Sequence, residues 1–149
     1  MILDEDDQVL LVRFEWPGGP DGGFWANPGG GIESGESRLD ALQRELREEV
    51  GLAVTELGDE VWTKTAVFPM PGWDGQVDHV HLHRVAHFAP SPELSPEELA
   101  AEHVHELRWW PLDTLLRSDA VFSPRGLRTL LPDLLDGRAG ALPQILHGF

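Results

Sequence analysis

Apolar and polar positions along the chain follow two periods, and the switches between them divide it into elements. Val9-Leu10-Leu11-Val12-Arg13-Phe14 is a continuous apolar run with β-branched members and predicts a buried strand. Asp4 to Asp7 reads as the turn before it, and Met1-Ile2-Leu3 as the tail of an earlier strand. Trp16 to Gly23, rich in Gly and Pro, predicts a loop. Phe24-Trp25-Ala26 predicts a short strand stopped by Pro28-Gly29-Gly30-Gly31. The period then changes. Leu39, Leu42, Leu46 and Val50 recur at helical spacing, so a helix is expected over Ser37 to Val50, with Gly51 as its terminating glycine. Thr63 to Phe68 and Val77 to Phe88 read as strands joined through a turn at Pro69 to Gly75. Ser95-Pro96-Glu97-Glu98 predicts a helix start. Leu107 to Trp110 predicts a strand, and Pro111 to Leu116 a helical turn. Ser123-Pro124 repeats the helix-start signal ahead of Leu127, Leu130, Leu131 and Leu134, with Pro132 expected to kink or end that helix. Strands and helices interleave without an internal repeat, which predicts one α/β domain over residues 1–149.

Composition narrows the function classes. The 149 residues carry 26 acidic and 11 basic side chains, a formal net charge of −15, which argues against nucleic-acid or anionic-membrane partners. There is no cysteine, so neither a disulfide framework nor a thiolate metal site is available, and the composition fits a reducing cytoplasm. No apolar run approaches the roughly 20 residues of a membrane span. A small polyanionic substrate stays compatible with the charge if cations screen its site.

The predicted helix after the glycines supplies such a site. Residues three and four apart on a helix lie on one face, with Cβ atoms roughly 5–6 Å apart. Glu45, Glu48 and Glu49 therefore share a face away from the leucine stripe. Crowded carboxylates invite a hard divalent cation such as Mg²⁺, which takes oxygen ligands and leaves positions to water and phosphates. The Gly29-Gly30-Gly31 turn allows close backbone approach, and its amides are candidates to face a phosphate. Three acids at this spacing also occur on ordinary solvated helices, so the wider spacing carries the argument.

That spacing is Gly30, five residues, Glu36, seven residues, then Arg44-Glu45-Leu46-Arg47-Glu48-Glu49-Val50-Gly51-Leu52. It resembles the Nudix box at each of its nine constrained positions. The strand at Val9 to Phe14, Trp25 and Pro28 before the glycines, and Leu107-Arg108-Trp109-Trp110-Pro111-Leu112 extend the resemblance over nearly the whole chain. The resemblance implies an α/β/α sandwich with a mixed central sheet, its first strand cut short before Asp4 by a trimmed or misplaced start. It implies Mg²⁺- or Mn²⁺-dependent hydrolysis of a nucleoside diphosphate linked to another moiety, hence a small phosphorylated nucleotide-type substrate. By position, Glu48 and Glu49 are implied as main metal ligands, and Glu45 as a ligand or the base. Gly29 or Gly30 is implied to lend a carbonyl, and Arg44 and Glu36 to orient the glutamates. A general base outside the box is also implied, and of Glu97, Glu98, Glu102 and Glu106 we favour Glu102. Some Nudix proteins form dimers, so a homodimer is open. A non-catalytic nucleotide-sensing module is the alternative, and an isomerase-like relative acting on prenyl diphosphates ranks last because the chain lacks cysteine.

Other residues are weaker candidates. Arg13 follows the first strand's apolar run and is a candidate phosphate contact, and Trp73, in the expected Pro69 to Gly75 turn, a candidate for stacking on a base. Asn27 stands where an apolar residue is frequent in the family. His79, His81 and His83 alternate on one strand face, and a polar or substrate-facing surface is favoured there over a zinc site.

Overall fold

The computed structural model describes residues 1–15, 20–70 and 73–148, with the side chains of residues 68–70 and 73 left aside. In chain order the elements are β1 (Ile2–Leu3), β2 (Val9–Phe14), β3 (Phe24–Ala26), α1 (Arg38–Val50), β4 (Asp59–Met70), β5 (Trp73–Arg84), α2 (Pro96–Ala101), β6 (Val104–Trp110), α3 (Leu112–Arg117), β7 (Phe122–Ser123), α4 (Leu127–Leu135) and β8 (Gln144–His147). The strands form one mixed sheet in the order β7-β3-β2-β1-β5-β4-β8, with β6 added on β2.

Strand β2 is the hub. It pairs antiparallel with β6 from Val9 to Phe14, which occupies one edge along its whole length. The other edge is shared by β1, at Val9 and Leu10, and β3, from Val12 to Phe14. Parallel pairs join β1 to β5, β3 to β7 and β4 to β8. The apolar run of β2 is continuous because both faces are covered. Val9 and Leu11 pack into a core with Trp25, Trp62, Trp110, Leu115, Leu127 and Leu131, under α3 and α4. Leu10 and Val12 pack with Leu46, Val50, Leu99 and Val104, under α1 and α2. The result is the expected helix–sheet–helix sandwich. The sheet also curls: Lys64 Nζ on β4 reaches Ser123 Oγ on β7 at 2.9 Å, although these strands lie far apart in the strand order.

Helix α1 follows its sequence signals. Ser37 caps it, accepting from the Asp40 amide at 3.1 Å, while the Asp40 carboxylate accepts from the Ser37 amide at 3.0 Å. Such a cap stabilises a helix by about 1 kcal/mol. Gly51 ends it at φ 73°, and a Cβ there would stand 2.1 Å from the Ser91 carbonyl oxygen.

Several elements depart from the expected pattern. β4 and β5 extend to Met70 and from Trp73, so strand replaces most of the turn expected at Pro69 to Gly75, and β5 stops at Arg84 rather than Phe88. Ser123-Pro124 does not start a helix. Ser123 belongs to β7, paired with Ala26, and α4 begins at Leu127 without a side-chain cap. Pro132 sits inside α4 rather than ending it. The helix tolerates the missing amide because fully buried Leu127 and Leu131 anchor it, and it runs only to Leu135. β8 was not expected at all.

Candidate active site

The box helix, the glycine turn and the end of α2 converge on one group of acids. Carboxylate oxygens of Glu45, Glu49 and Glu102 all lie within 4.8 Å of one another, the one such group of potential metal ligands found among the described residues. Glu45 and Glu49 are one helical turn apart on α1, and both are buried, at 7% and 2% exposure. Glu102 is exposed and caps the C-terminal end of α2.

The position of Glu102 depends on the end of α1. Amides of Ser91, Glu93 and Leu94 donate to the Val50, Arg47 and Glu48 carbonyls at 3.1, 3.1 and 3.2 Å. These carbonyls belong to the last turn of α1, where backbone acceptors run short of helical donors; that of Arg47 also accepts from the Gly51 amide at 3.1 Å. The segment they fix leads directly into the Ser95 cap of α2, and Leu99 of α2 is buried in the same core as Leu46 and Val50. The Glu15 amide then donates to the His103 carbonyl at 3.0 Å, tying the residue after Glu102 to the end of β2.

The glycine turn packs on the acids from the other side. The Gly29 amide donates to Glu49 Oε2 at 2.8 Å. A Cβ on Gly30 would stand 2.3 Å from Glu45 Oε1, so any larger residue there would push the Glu45 carboxylate aside. Gly31 offers its carbonyl to Arg44 Nη2 at 2.9 Å. The turn therefore holds the acids, and α1 begins later, at its own Ser37 cap.

Arg44 is the organiser. Its guanidinium donates to both Glu36 oxygens at 2.8 and 3.0 Å, to Glu45 Oε1 at 2.8 Å, to Glu48 Oε2 at 3.3 Å and to the Gly31 carbonyl. Two parallel bonds to Glu36 form the bidentate geometry that suits arginine. The Arg44 bonds and the Glu33 amide hold the Glu36 carboxyl down at about 2, and Glu36 and Glu45 raise the guanidinium above its ordinary value. Glu48 faces Arg44 and lies outside the group of three.

Electrostatics single out the buried acids. Burial raises Glu45 against the opposing pull of Arg44. Burial pushes Glu49 up to about 8, with the Gly29 amide opposing and the charges of Glu45 and Glu102 adding. Hard oxygen donors this close, two of them too desolvated to hold charge comfortably alone, fit a small divalent cation.

The remaining sequence candidates fall elsewhere. Arg13 is ion-paired with Glu15 and with Glu106, the latter at 3.2 Å, and its Nη1 donates to the Gly22 carbonyl. Trp16 and the Trp73 side chain lie outside the described residues. Trp25, Trp62 and Trp110 are core residues, and Trp109 donates to the Phe88 carbonyl at 2.8 Å. His79 Nδ1 lies 2.8 Å from Glu60 and its Nε2 3.2 Å from Arg38 Nη2, while the His81 ring is buried against the Gly58 carbonyl. Asn27 keeps a buried Oδ1 without a protein partner beside the glycine turn. Sequence reasoning missed the carbonyl clamp at residues 91–94, which carries no side-chain signal. Among the described residues no helix is long and apolar enough to cross a membrane.

Known proteins resemble this chain in sequence and fold. The NUDIX domain family model matches residues 1–131. The nucleoside triphosphatase NudI of Escherichia coli is 35% identical over 88 residues, 54% of this chain and 58% of NudI, so the match spans little more than half of that relative. The uncharacterized Nudix hydrolase YvcI of Bacillus subtilis is 45% identical over 53 residues, 36% of this chain and 30% of YvcI. Among solved structures, the NUDIX domain of Shewanella oneidensis NrtR, complexed with ADP ribose, superposes with a TM-score of 0.64 at 21% identity, covering 90% of this chain and 83% of that one. The MutT protein of Methanosarcina mazei gives 0.62 at 20% identity, covering 92% and 89%. At these identities the structural likenesses establish the fold, and it is the match of the family model to residues 1–131 that makes this chain a member of the Nudix family.

Proposed function

We propose that the protein hydrolyses a diphosphate linkage in a nucleoside diphosphate joined to another moiety. The observation that carries this reading is the convergence of Glu45, Glu49 and Glu102 within 4.8 Å under the Gly29-Gly30 turn. Glu45 and Glu49, with Glu48 beside them, would hold Mg²⁺ or Mn²⁺, and Glu102 stands next to that ion as the base. A divalent cation bound there supplies the Lewis acidity that cleavage of a diphosphate needs. Arg44 fixes the Glu45 carboxylate, and Glu36 fixes Arg44, so the acids are oriented before substrate arrives. Water attacks one phosphorus, a new P–O bond forms, the P–O bond to the leaving phosphate breaks, and exposed Glu102 takes the water's proton. The triphosphatase name of the NudI relative and the ADP ribose held by the NrtR domain support a nucleotide substrate.

The alternative is a domain that binds a nucleotide without cleaving it, favoured by the ADP-ribose complex of that structural neighbour. A panel of nucleoside triphosphates, oxidised nucleotides, nucleotide sugars, ADP-ribose and dinucleoside polyphosphates, offered with Mg²⁺ or Mn²⁺, separates the two. Turnover of one class, lost by about 10²-fold or more in Glu49→Gln with the fold retained, is expected. Binding without turnover of any of them would establish the sensing module instead.

A further inference from the structure

We infer that His87 and Trp109 are positioning residues for Glu102, closing the neck of the excursion that carries it. The inference rests on the reading of Glu102 as the base. β5 ends at Arg84 and β6 begins at Val104, and the chain between them holds α2 and Glu102. Residues 85–94 form neither helix nor strand, so discrete contacts set their course. β6 alone does not fix Glu102, because its register on β2 slips between Arg13 and Phe14, where Val104 pairs. The clamp of residues 91–94 holds the entry to α2 on α1, and the Glu15–His103 bond holds its exit on β2. Trp109 ties entry to exit directly. Its Nε1 donates to the Phe88 carbonyl at 2.8 Å, and the two side-chain rings meet edge to face at 5.5 Å.

His87 anchors this neck to the body of the sheet. Its ring lies 4.9 Å from that of Trp109, and its amide donates to Glu5 Oε2 at 2.6 Å. His87 Nδ1 stands 2.8 Å from Asp4 Oδ2; a carboxylate accepts, so Nδ1 carries the proton. Asp4 is 1% exposed and also accepts from the Asp6 and Gln8 amides at 3.0 and 2.9 Å, and from Gln8 Nε2 at 2.9 Å. Burial works against its charge, but the bonds from His87, Gln8 and Asp6 outweigh it and hold the carboxyl below its ordinary value. A buried carboxylate pinned by three donors of its own turn is a fixed acceptor. It fixes the imidazole that leans on Trp109, and through Trp109 the spacing between the connector and β6 on either side of Glu102.

Double-mutant cycles on the substrate class that the panel identifies test this. His87→Ala removes a half-exposed ring and leaves Asp4 its three other donors. Trp109→Phe keeps a ring at the neck and removes its N–H, so both variants should fold. Each should lower kcat about tenfold at unchanged KM, and neither should lower the residual kcat of Glu102→Gln any further. Amide hydrogen exchange, which needs no substrate, should quicken at least about tenfold over residues 95–103 in both variants and stay unchanged in α1. Equal losses of kcat in the two backgrounds would mean a general weakening of the fold and overturn the inference. So would unchanged exchange over residues 95–103, whether or not any substrate is turned over. Glu102→Gln at wild-type turnover would overturn the base reading itself, and the positioning role with it.

Discussion

At the scale of single residues, the site is set by what is missing as much as by what is present. Gly30 leaves room for the Glu45 carboxylate, and any Cβ would displace it. Gly30→Ala should therefore lower turnover by about 10²-fold, the usual cost of misplacing a reacting group by roughly 1 Å. Its melting temperature should change little, because Gly30 is exposed and its backbone is one an alanine can adopt. Steady-state kinetics beside thermal unfolding checks both halves. Glu49 carries a second expectation, for the metal-free protein. Its folded value of about 8 exceeds the ordinary 4.5, so between these limits the folded state binds more protons than the unfolded one. Stability contributed by this group is present below 4.5 and is lost as the pH rises towards 8. Glu49→Gln removes that loss, so with chelator present it should melt several degrees above wild type at pH 8 and close to it at pH 5. Calorimetry at the two pH values decides this, and equal melting temperatures at pH 8 would contradict the burial of an uncompensated acid. Helical spacing put Glu45 and Glu49 on one face, and the wider spacing back to Gly30 and Glu36 made them candidates. The same pattern left Glu48 open between a metal and an i,i+4 pair with Arg44, and did not carry the commitment of the Gly29 amide to Glu49, since both depend on which of several nearby partners wins.

At the scale of elements, legibility followed how local each cause is. α1 was readable because its leucine stripe, Ser37 cap and Gly51 stop act within one segment. β2 was readable because burial on both faces leaves a continuous apolar run. β8 was not, because four residues with little β signal become a strand only by pairing with Trp62 to Thr65. Ser123 misled for the same reason. A Ser-Pro pair is a local helix signal, and tertiary pairing with Ala26 and the bond from Lys64 overrode it. Glu102 came from family resemblance, and its physical cause, the clamp of residues 91–94 on the end of α1, runs through backbone alone. That clamp gives a prediction. Gly51→Ala forces an alanine into the left-handed region, at about 1–2 kcal/mol, and drives its Cβ into the Ser91 carbonyl. Turnover should fall at least about tenfold even where the variant is fully folded, because Glu102 moves with the segment. If activity tracks only the folded fraction, the clamp does not position Glu102.

At the scale of the whole molecule, Lys64 closes the curl of the sheet. It is buried, bonded to Ser123 on β7 and ion-paired to Asp78 on β5 at 2.8 Å. Lys64→Met keeps the aliphatic bulk and strands the buried Ser123 hydroxyl, while Asp78 is exposed enough to recover water. A loss of about 1–3 kcal/mol in urea unfolding is expected, with an unchanged denaturant slope. No measurable loss would mean that the curl is held by core packing alone. The hub strand has a different consequence. β3, which delivers the glycine turn, and β6, which follows Glu102, are both registered on β2. The two jaws of the acid site thus share a single ruler. A breathing motion that slides β2 carries both jaws along, so their separation is a difference from which the common displacement cancels. The far ribbon of β4, β5 and β8 sits off that ruler but is tied to the site half through β1 and through the contacts of Lys64 with Ser123 and Arg38 with Glu60, so a change there reaches the gap by way of side chains even when the β2 register stays fixed.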